Sequence, residues 1–455
     1  MKKSMESSEK IKPVVALIGK PNVGKSTLFN RMTGKNIAIV EDRPGVTRDV
    51  NYQDVSYDNV IFTLVDTGGF FPDRADDIIM SEISKHIQLL ISEVNALIFL
   101  VDAKSGPSEL DRDIYLFLKR QNIPVWVAAT HIDSDAHESR LNDCYGLGTD
   151  VIYPISSVNN RGLEELFDDV TRDFPTVDEL EDSAVEDDVR VAVTGRPNTG
   201  KSTLVNKLIG EKKMLVTPMA GTTVDSIDTL FDFEGKRIRI IDTAGIRRKK
   251  KVHAFMEKIS ILRAFKSMDR ADVVVVMMDS QAAASRQDLR ILGMAHEKYK
   301  GVVITLNKWD LIKKETKLYD EFVKEIRKRC KFASYMPVIS ISAEKGRRTE
   351  KLLKMVCRVA ENTKKKVGDD ILREWMNKAV IRRPPARTQK YRENNFYSVK
   401  MMPGKPPTVV FRVKDPKSVH FSYERYLTNQ FRRSFDFEGV RVKFKFIKKD
   451  DRYDE

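Results

Sequence analysis

Residues Gly19–Gly34 read GKPNVGKSTLFNRMTG, and residues Gly195–Gly210 answer with GRPNTGKSTLVNKLIG. Each follows a short, β-branched apolar run, VVALIG or VRVAVTG, of the kind that forms a buried parallel strand. Each continues into apolar positions at helical spacing: Leu28, Phe29 and Met32 in the first, Leu204, Val205 and Leu208 in the second. The local reading is strand, glycine-rich turn, helix, written twice.

The two copies lie 176 residues apart, and the same offset relates VDTGGF from Val65 to IDTAGI from Ile241, and Thr47 to Thr223. Further apolar strands, ALIFLVD, VVVVMMD, VWVAAT and VVITLN, alternate with helical segments. That alternation predicts two doubly wound α/β domains with mostly parallel sheets. The predicted organisation is an N-terminal tail over 1–12, domains over 13–173 and 189–363, an acidic linker over 174–188 without apolar periodicity, and a small α+β domain over 364–455. A chain of 455 residues accommodates this number of domains.

Both turns fit the phosphate-binding pattern G-x4-G-K-[ST]. Gly19, Lys20, Pro21, Asn22, Val23, Gly24, Lys25, Ser26 and Thr27 form the first, and Gly195, Arg196, Pro197, Asn198, Thr199, Gly200, Lys201, Ser202 and Thr203 the second. Glycines let backbone N–H groups turn inward onto a β-phosphate, the lysine reaches the β- and γ-phosphates, and the serine hydroxyl ligates Mg²⁺. Asp66-Thr67-Gly68-Gly69-Phe70 and Asp242-Thr243-Ala244-Gly245-Ile246 both begin 41 residues after the loop lysine. Their aspartates are expected to end strands and hold Mg²⁺ through water, and Gly69 and Gly245 to offer an N–H to the γ-phosphate. Phe70 and Ile246 stand where many GTPases carry a water-orienting glutamine, and neither can hydrogen-bond water.

Asn307-Lys308-Trp309-Asp310 follows a strand, as a guanine-reading loop should. Asp310 can accept from guanine N1–H and the 2-amino group, Asn307 ties the loop, Lys308 can pack its stem over the ring, and the Ala343 amide beside Ser342 can meet the guanine oxygen. The first copy offers Thr130-His131-Ile132-Asp133 and then Ser156 and Ser157. Asp133 keeps the discriminating carboxylate. Thr130 is shorter than asparagine and His131 puts a ring in place of an aliphatic stem, so this site is an altered guanine site or one that no longer reads guanine.

The net charge of +14 is uneven: residues 1–188 carry 19 basic against 34 acidic residues, net −15, so the excess belongs to the rest of the chain. It suits attraction to nucleic acid or an anionic surface, or a solvated lysine-rich face. Cys144, Cys330 and Cys357 are too scattered for a disulfide framework and read as reduced. No apolar run reaches the roughly 18 residues that cross a bilayer, and MKKSMESSEKIKP lacks the apolar stretch of a signal peptide. A cytosolic protein is expected.

These motifs, with PGVTRD, AGTTVD, DTAGIRRKKKV and the C-terminal HFSYERYLTNQFRRSFDFEGVRV, resemble the bacterial ribosome-biogenesis GTPases known as Der or EngA over nearly the whole chain. The resemblance implies two tandem P-loop GTPase domains followed by a KH-like domain, with GTP or GDP and Mg²⁺ as ligands. It implies Lys25, Thr47, Lys201 and Thr223 as catalytic, Thr47 and Thr223 joining Ser26, Asp66, Ser202 and Asp242 around Mg²⁺, and Asn22 and Asn198 as holders of a K⁺ ion. The implied partners are the large ribosomal subunit and its rRNA, with a chain monomeric off the ribosome. The sequence departs from that pattern at Thr130, His131 and Val224, and it has no G-x-x-G loop in the last domain. Tyr423, Tyr426, Phe431 and Phe435 fall at helical spacing and read as core. A rival reading is an RNA-binding scaffold whose nucleotides set its shape.

Overall fold

The computed structural model describes residues 10–34, 51–68, 80–182, 188–211, 228–243, 254–282, 284–312, 318–385, 394–449 and 451. It divides into two compact units, Met1–Glu186 with Lys250–Arg263, and Asp187–Lys249 with Ala264–Glu455.

In the first unit, strands β1 (Val14–Ile18), β2 (Asn51–Tyr57), β3 (Val60–Asp66), β4 (Ala96–Asp102), β5 (Val125–Thr130) and β6 (Tyr153–Pro154) form one sheet in the order β2-β3-β1-β4-β5-β6. All pairs are parallel except β2 with β3. Successive β1 residues serve opposite faces. Val14, Ala16 and Ile18 join a cluster with Phe99, Ile114 and Leu118, whereas Val15 and Leu17 join Leu28, Phe29, Phe62 and Phe167. A strand buried on both sides has no polar face, which is why the run reads as uninterrupted β-branched and aliphatic residues.

The second unit repeats this plan. Strands β7 (Val189–Gly195), β8 (Thr229–Phe233), β9 (Lys236–Ile240), β10 (Val273–Asp279), β11 (Gly301–Asn307) and β12 (Val338–Ser340) lie in the order β12-β11-β10-β7-β9-β8, with only β8 and β9 antiparallel. The same unit carries the small C-terminal sheet β13 (Phe396–Met402), β14 (Thr408–Val413) and β15 (Lys443–Lys448), covered by helices Asp369–Arg382 and Phe421–Ser434. The helical aromatics are core: Tyr423 and Phe431 are buried, and Tyr426 and Phe435 pack partly buried beside them. Trp375 meets Phe431 edge-on at 5.3 Å, and the Tyr423 and Tyr426 hydroxyls donate to the carbonyls of Arg383 and Ala379.

The loop after helix Phe421–Ser434 packs into the second α/β domain of the same unit. The Val302 amide donates to the Gly439 carbonyl at 2.8 Å, and the Gly439 amide to the Tyr335 carbonyl at 2.8 Å. Gly439 has φ +78, and a Cβ there would stand 2.4 Å from Val359 Cγ2, so the position admits only glycine.

The stretch read as an acidic linker without apolar periodicity contains a short helix, Val177–Asp182. Its acidic residues are used: Thr176 N–H donates to Glu179 at 3.0 Å, and Lys10 pairs with the same carboxylate. Asp188 is buried between Arg237 and Arg239, 2.9 and 2.6 Å away, where it anchors the start of β7. Over the described residues 174–182 and 188, ion pairs and a backbone cap supply the order that apolar periodicity did not signal.

Candidate functional site

Each phosphate loop runs from the C-terminal end of a central strand into the N-terminus of a helix, Lys25–Gly34 or Lys201–Glu211. Backbone N–H groups at such a helix start face outward and favour an anion. The loop lysines fold back onto their own loops. Lys25 Nζ donates to the carbonyls of Gly19 and Lys20 at 2.7 and 2.6 Å, and Lys201 Nζ to those of Gly195 and Arg196 at the same distances. Burial pushes both ammonium groups down to about 8; Asp66 and Asp111 oppose this at Lys25, and Asp288 at Lys201. Asn22 and Asn198 both adopt φ +64 and are exposed at the loop tips.

Lys20 and Arg196 pair with carboxylates outside their own loops. Lys20 Nζ lies 3.3 Å from Asp111, and Arg196 Nε donates to Asp288 at 3.0 Å. Both aspartates are fully buried at the third position of a helix and complete capping boxes with Ser108 and Ser285. Sequence reasoning missed these anchors, although S-x-x-D before an apolar helical run was the available signal.

In the first copy Ser26 Oγ donates to Asp66 Oδ2 at 2.6 Å, and the other carboxylate oxygen accepts the Gly68 amide at 2.8 Å. A hydroxyl and a carboxylate meeting beside the phosphate loop are a hard-oxygen pair that suits Mg²⁺. In the second copy β9 stops at Ile240, two residues short of the Asp242 predicted to end it. Asp242 turns with φ +55, and its amide donates to Asp228, which Arg270 holds at 2.6 Å. Thr67 and Thr243 are buried. Thr47, Gly69, Phe70, Thr223, Ala244, Gly245 and Ile246, with PGVTRD, AGTTVD and RRKKK, lie outside the described residues.

The two candidate base-reading loops share a left-handed turn after the strand and then diverge: a 3-10 helix, Trp309–Leu311, follows directly in the second copy, whereas in the first the next one begins at Asp135. Asn307 ends β11, nearly inaccessible, and bridges two loops: its Nδ2 donates to the Thr199 carbonyl at 2.8 Å and its Oδ1 accepts the Ala343 amide at 2.9 Å. The amide assigned from sequence to the guanine oxygen is thus engaged by Asn307. Asp310 is held below the usual carboxylate range, first by the Ser342 hydroxyl, then against burial by Lys345 at 3.2 Å. Trp309 packs edge-on against Tyr319 and Phe322.

In the first copy Thr130 ends β5 and spans no such gap; its hydroxyl donates to the Val101 carbonyl at 3.2 Å. Asp133 accepts from Ser156 Oγ at 2.5 Å, and the Ile132 amide donates to the Ile155 carbonyl at 3.2 Å. Ser157 is half-buried beside it. Lys308 and His131 both have left-handed backbone, φ +61 and +66. Both reach the aspartate that ends the neighbouring strand: Lys308 Nζ lies 2.6 Å from Asp279, His131 Nδ1 2.9 Å from Asp102. Those aspartates also went unassigned in the sequence.

Residues 14–131 and 190–308 match the family described as 50S ribosome-binding GTPase, and residues 366–446 match the KH-domain-like C-terminal domain of EngA bacterial GTPase enzymes. The chain is 40% identical over 435 residues to GTPase Der of Clostridium tetani, covering 96% of this chain and 98% of that one. It is 41% identical over 444 residues to GTPase Der of Desulfitobacterium hafniense, covering 97% and 99%. Among the described residues no helix is long and apolar enough to cross a membrane. With two phosphate loops, a guanine-reading loop and a KH-like domain in the same order and over nearly the same length, the chain belongs to the GTPase Der family and hydrolyses GTP.

Proposed function

We propose that the chain is a two-site GTP switch acting in assembly of the large ribosomal subunit, in the cytosol and as a monomer off the ribosome. The observation that carries this reading is the pair of matching phosphate loops, each with its lysine parked on two loop carbonyls, only one of which is followed by a fully tied guanine loop. A parked ammonium can leave its carbonyls for phosphate oxygens without rebuilding the loop. Lys25 and Lys201 then carry positive charge toward the γ-phosphate as water adds to it and GDP leaves. Ser26, Asp66 and Thr47, with Ser202, Asp242 and Thr223, would hold Mg²⁺, which neutralises phosphate charge when bound. Asp310 and Asp133 read guanine, and the tie through Asn307 makes the second site the tighter one.

The family resemblance assigns Asn22 and Asn198 to a K⁺ ion, which would supply the positive charge for a transition state at which Phe70 and Ile246 cannot orient water. Their shared φ +64 places both asparagines at the same point of the loop. The basic excess of residues 189–455 supplies the attraction to rRNA. The test is a pull-down of large ribosomal subunits with the full chain in GTP and in GDP across a salt series. Binding should fall steeply with salt and differ between nucleotides. Binding indifferent to both would refute the switch, and binding that depends on salt alone would favour the scaffold reading.

A further inference from the structure

The first guanine loop contains a self-consistent substitution. His131 occupies the same left-handed backbone position as Lys308, and it reaches Asp102 as Lys308 reaches Asp279. The two aspartates are held alike: Asp102 Oδ1 accepts the Lys104 amide at 2.9 Å, and Asp279 Oδ1 accepts the Gln281 amide at 3.0 Å. Asp102 also accepts from Ser105 Oγ at 3.0 Å. Burial opposes its ionisation, but the hydrogen bonds from His131, Lys104 and Ser105 hold the carboxyl below its ordinary range. An ionised carboxylate can only accept, so Nδ1 of His131 carries the hydrogen and donates it.

Thr130 fits the same arrangement. Its hydroxyl donates to the Val101 carbonyl, which leaves a lone pair toward His131 Nδ1 at 3.3 Å. The ring is therefore held at Nδ1 by two oxygens, while the side chain remains 44% exposed. A planar ring, held at Nδ1 and open beyond it, offers a purine what an aliphatic stem offers in the second site, with stronger stacking.

We propose that His131 is the purine-stacking platform of the first nucleotide site and that Asp102 is the positioning residue that holds its ring. The first site then grips guanine by ring stacking plus Asp133, where the second uses the Lys308 stem, Asp310 and the Asn307 tie. This rests on the reading that the first copy binds guanine nucleotides.

The test uses the full chain carrying Asp310→Asn, which replaces one of the two carboxylate oxygens that would accept from N1–H and the 2-amino group by an NH2 donor facing those donors, so that GDP titration reports the first site. In that background His131→Ala should weaken GDP binding by roughly tenfold or more, while His131→Phe should stay within about threefold of the parent. Alanine and phenylalanine both carry a Cβ, so the left-handed φ is matched between them. Asp102→Ala should weaken binding by about three- to tenfold with His131 present and by less than about twofold with phenylalanine there, because the coupling runs through Nδ1. A merely structural Asp102 would show the same loss in both backgrounds and would overturn its role. Equal losses for phenylalanine and alanine at 131 would overturn the platform. If the Asp310→Asn parent binds no GDP at all, the guanine reading of the first copy falls and the proposal with it.

Discussion

Exchanging Asn307 for the residue its counterpart carries isolates what the first site lacks. In Asn307→Thr the Thr199 carbonyl and the Ala343 amide lose bonds of 2.8 and 2.9 Å in a place where Asn307, Thr199 and Ala343 are all buried. Two hydrogen bonds at about 0.5–1.5 kcal/mol each, with a buried amide left unpaired, amount to about 1–3 kcal/mol. The tie joins the loop under the phosphates to the loop beside the base, so most of that cost should fall on the nucleotide-bound arrangement. GDP affinity at the second site should drop by about 10- to 100-fold, at 1.4 kcal/mol per factor of ten. The reciprocal Thr130→Asn has room: a Cβ at Gly24 would stand 3.8 Å from Thr130 Cγ2, whereas one at Gly200 would stand 2.2 Å from Asn307 Nδ2. An amide at 130 should reach the Val23 carbonyl and the Ser157 amide and tighten the first site by up to about tenfold. Isothermal titration with GDP, beside thermal unfolding without nucleotide, separates affinity from stability. Unchanged second-site affinity in Asn307→Thr, or tighter binding at the natural first site than at the natural second, would refute the reasoning.

The loop lysines make a pH prediction with a definite sign. With folded values near 8 against an ordinary 10.5, the nucleotide-free fold has lost protons that the unfolded chain keeps between those limits, so this contribution to stability rises with pH across that window. Phosphate needs the charged form, so GDP affinity should fall as pH rises above 8, and calorimetry at pH 9 in buffers of different ionisation enthalpy should show proton uptake on binding; none would count against it. GTP turnover should be faster in K⁺ than in Na⁺, and Asn22→Ala with Asn198→Ala should narrow that difference; equal rates in both salts would remove the cation from the mechanism.

The phosphate loops and the alternation of strand and helix were legible because their chemistry is local. Glycines, lysine and serine at fixed spacing, after a β-branched run, specify a strand, a turn and a helix within about twenty residues. S-x-x-D could have flagged Asp111 and Asp288 as caps, but the pairings were not legible, because they join residues far apart: Lys20 with Asp111, Arg196 with Asp288, His131 with Asp102. The seat of Gly439 between Val302 and Tyr335 depends on segments about a hundred residues away, and DFEGV announces nothing of it. Thr130-His131 illustrates the same limit from the other side. Read singly, each residue is a loss, of an amide and of an aliphatic stem. Placed together against Asp102 and the Val101 carbonyl, the hydroxyl and the imidazole form one hydrogen-bonded unit at a left-handed turn that both copies share. On the proposed reading the first site is a differently built guanine loop, whose affinity would be set by ring stacking against the missing tie rather than by a count of motif matches.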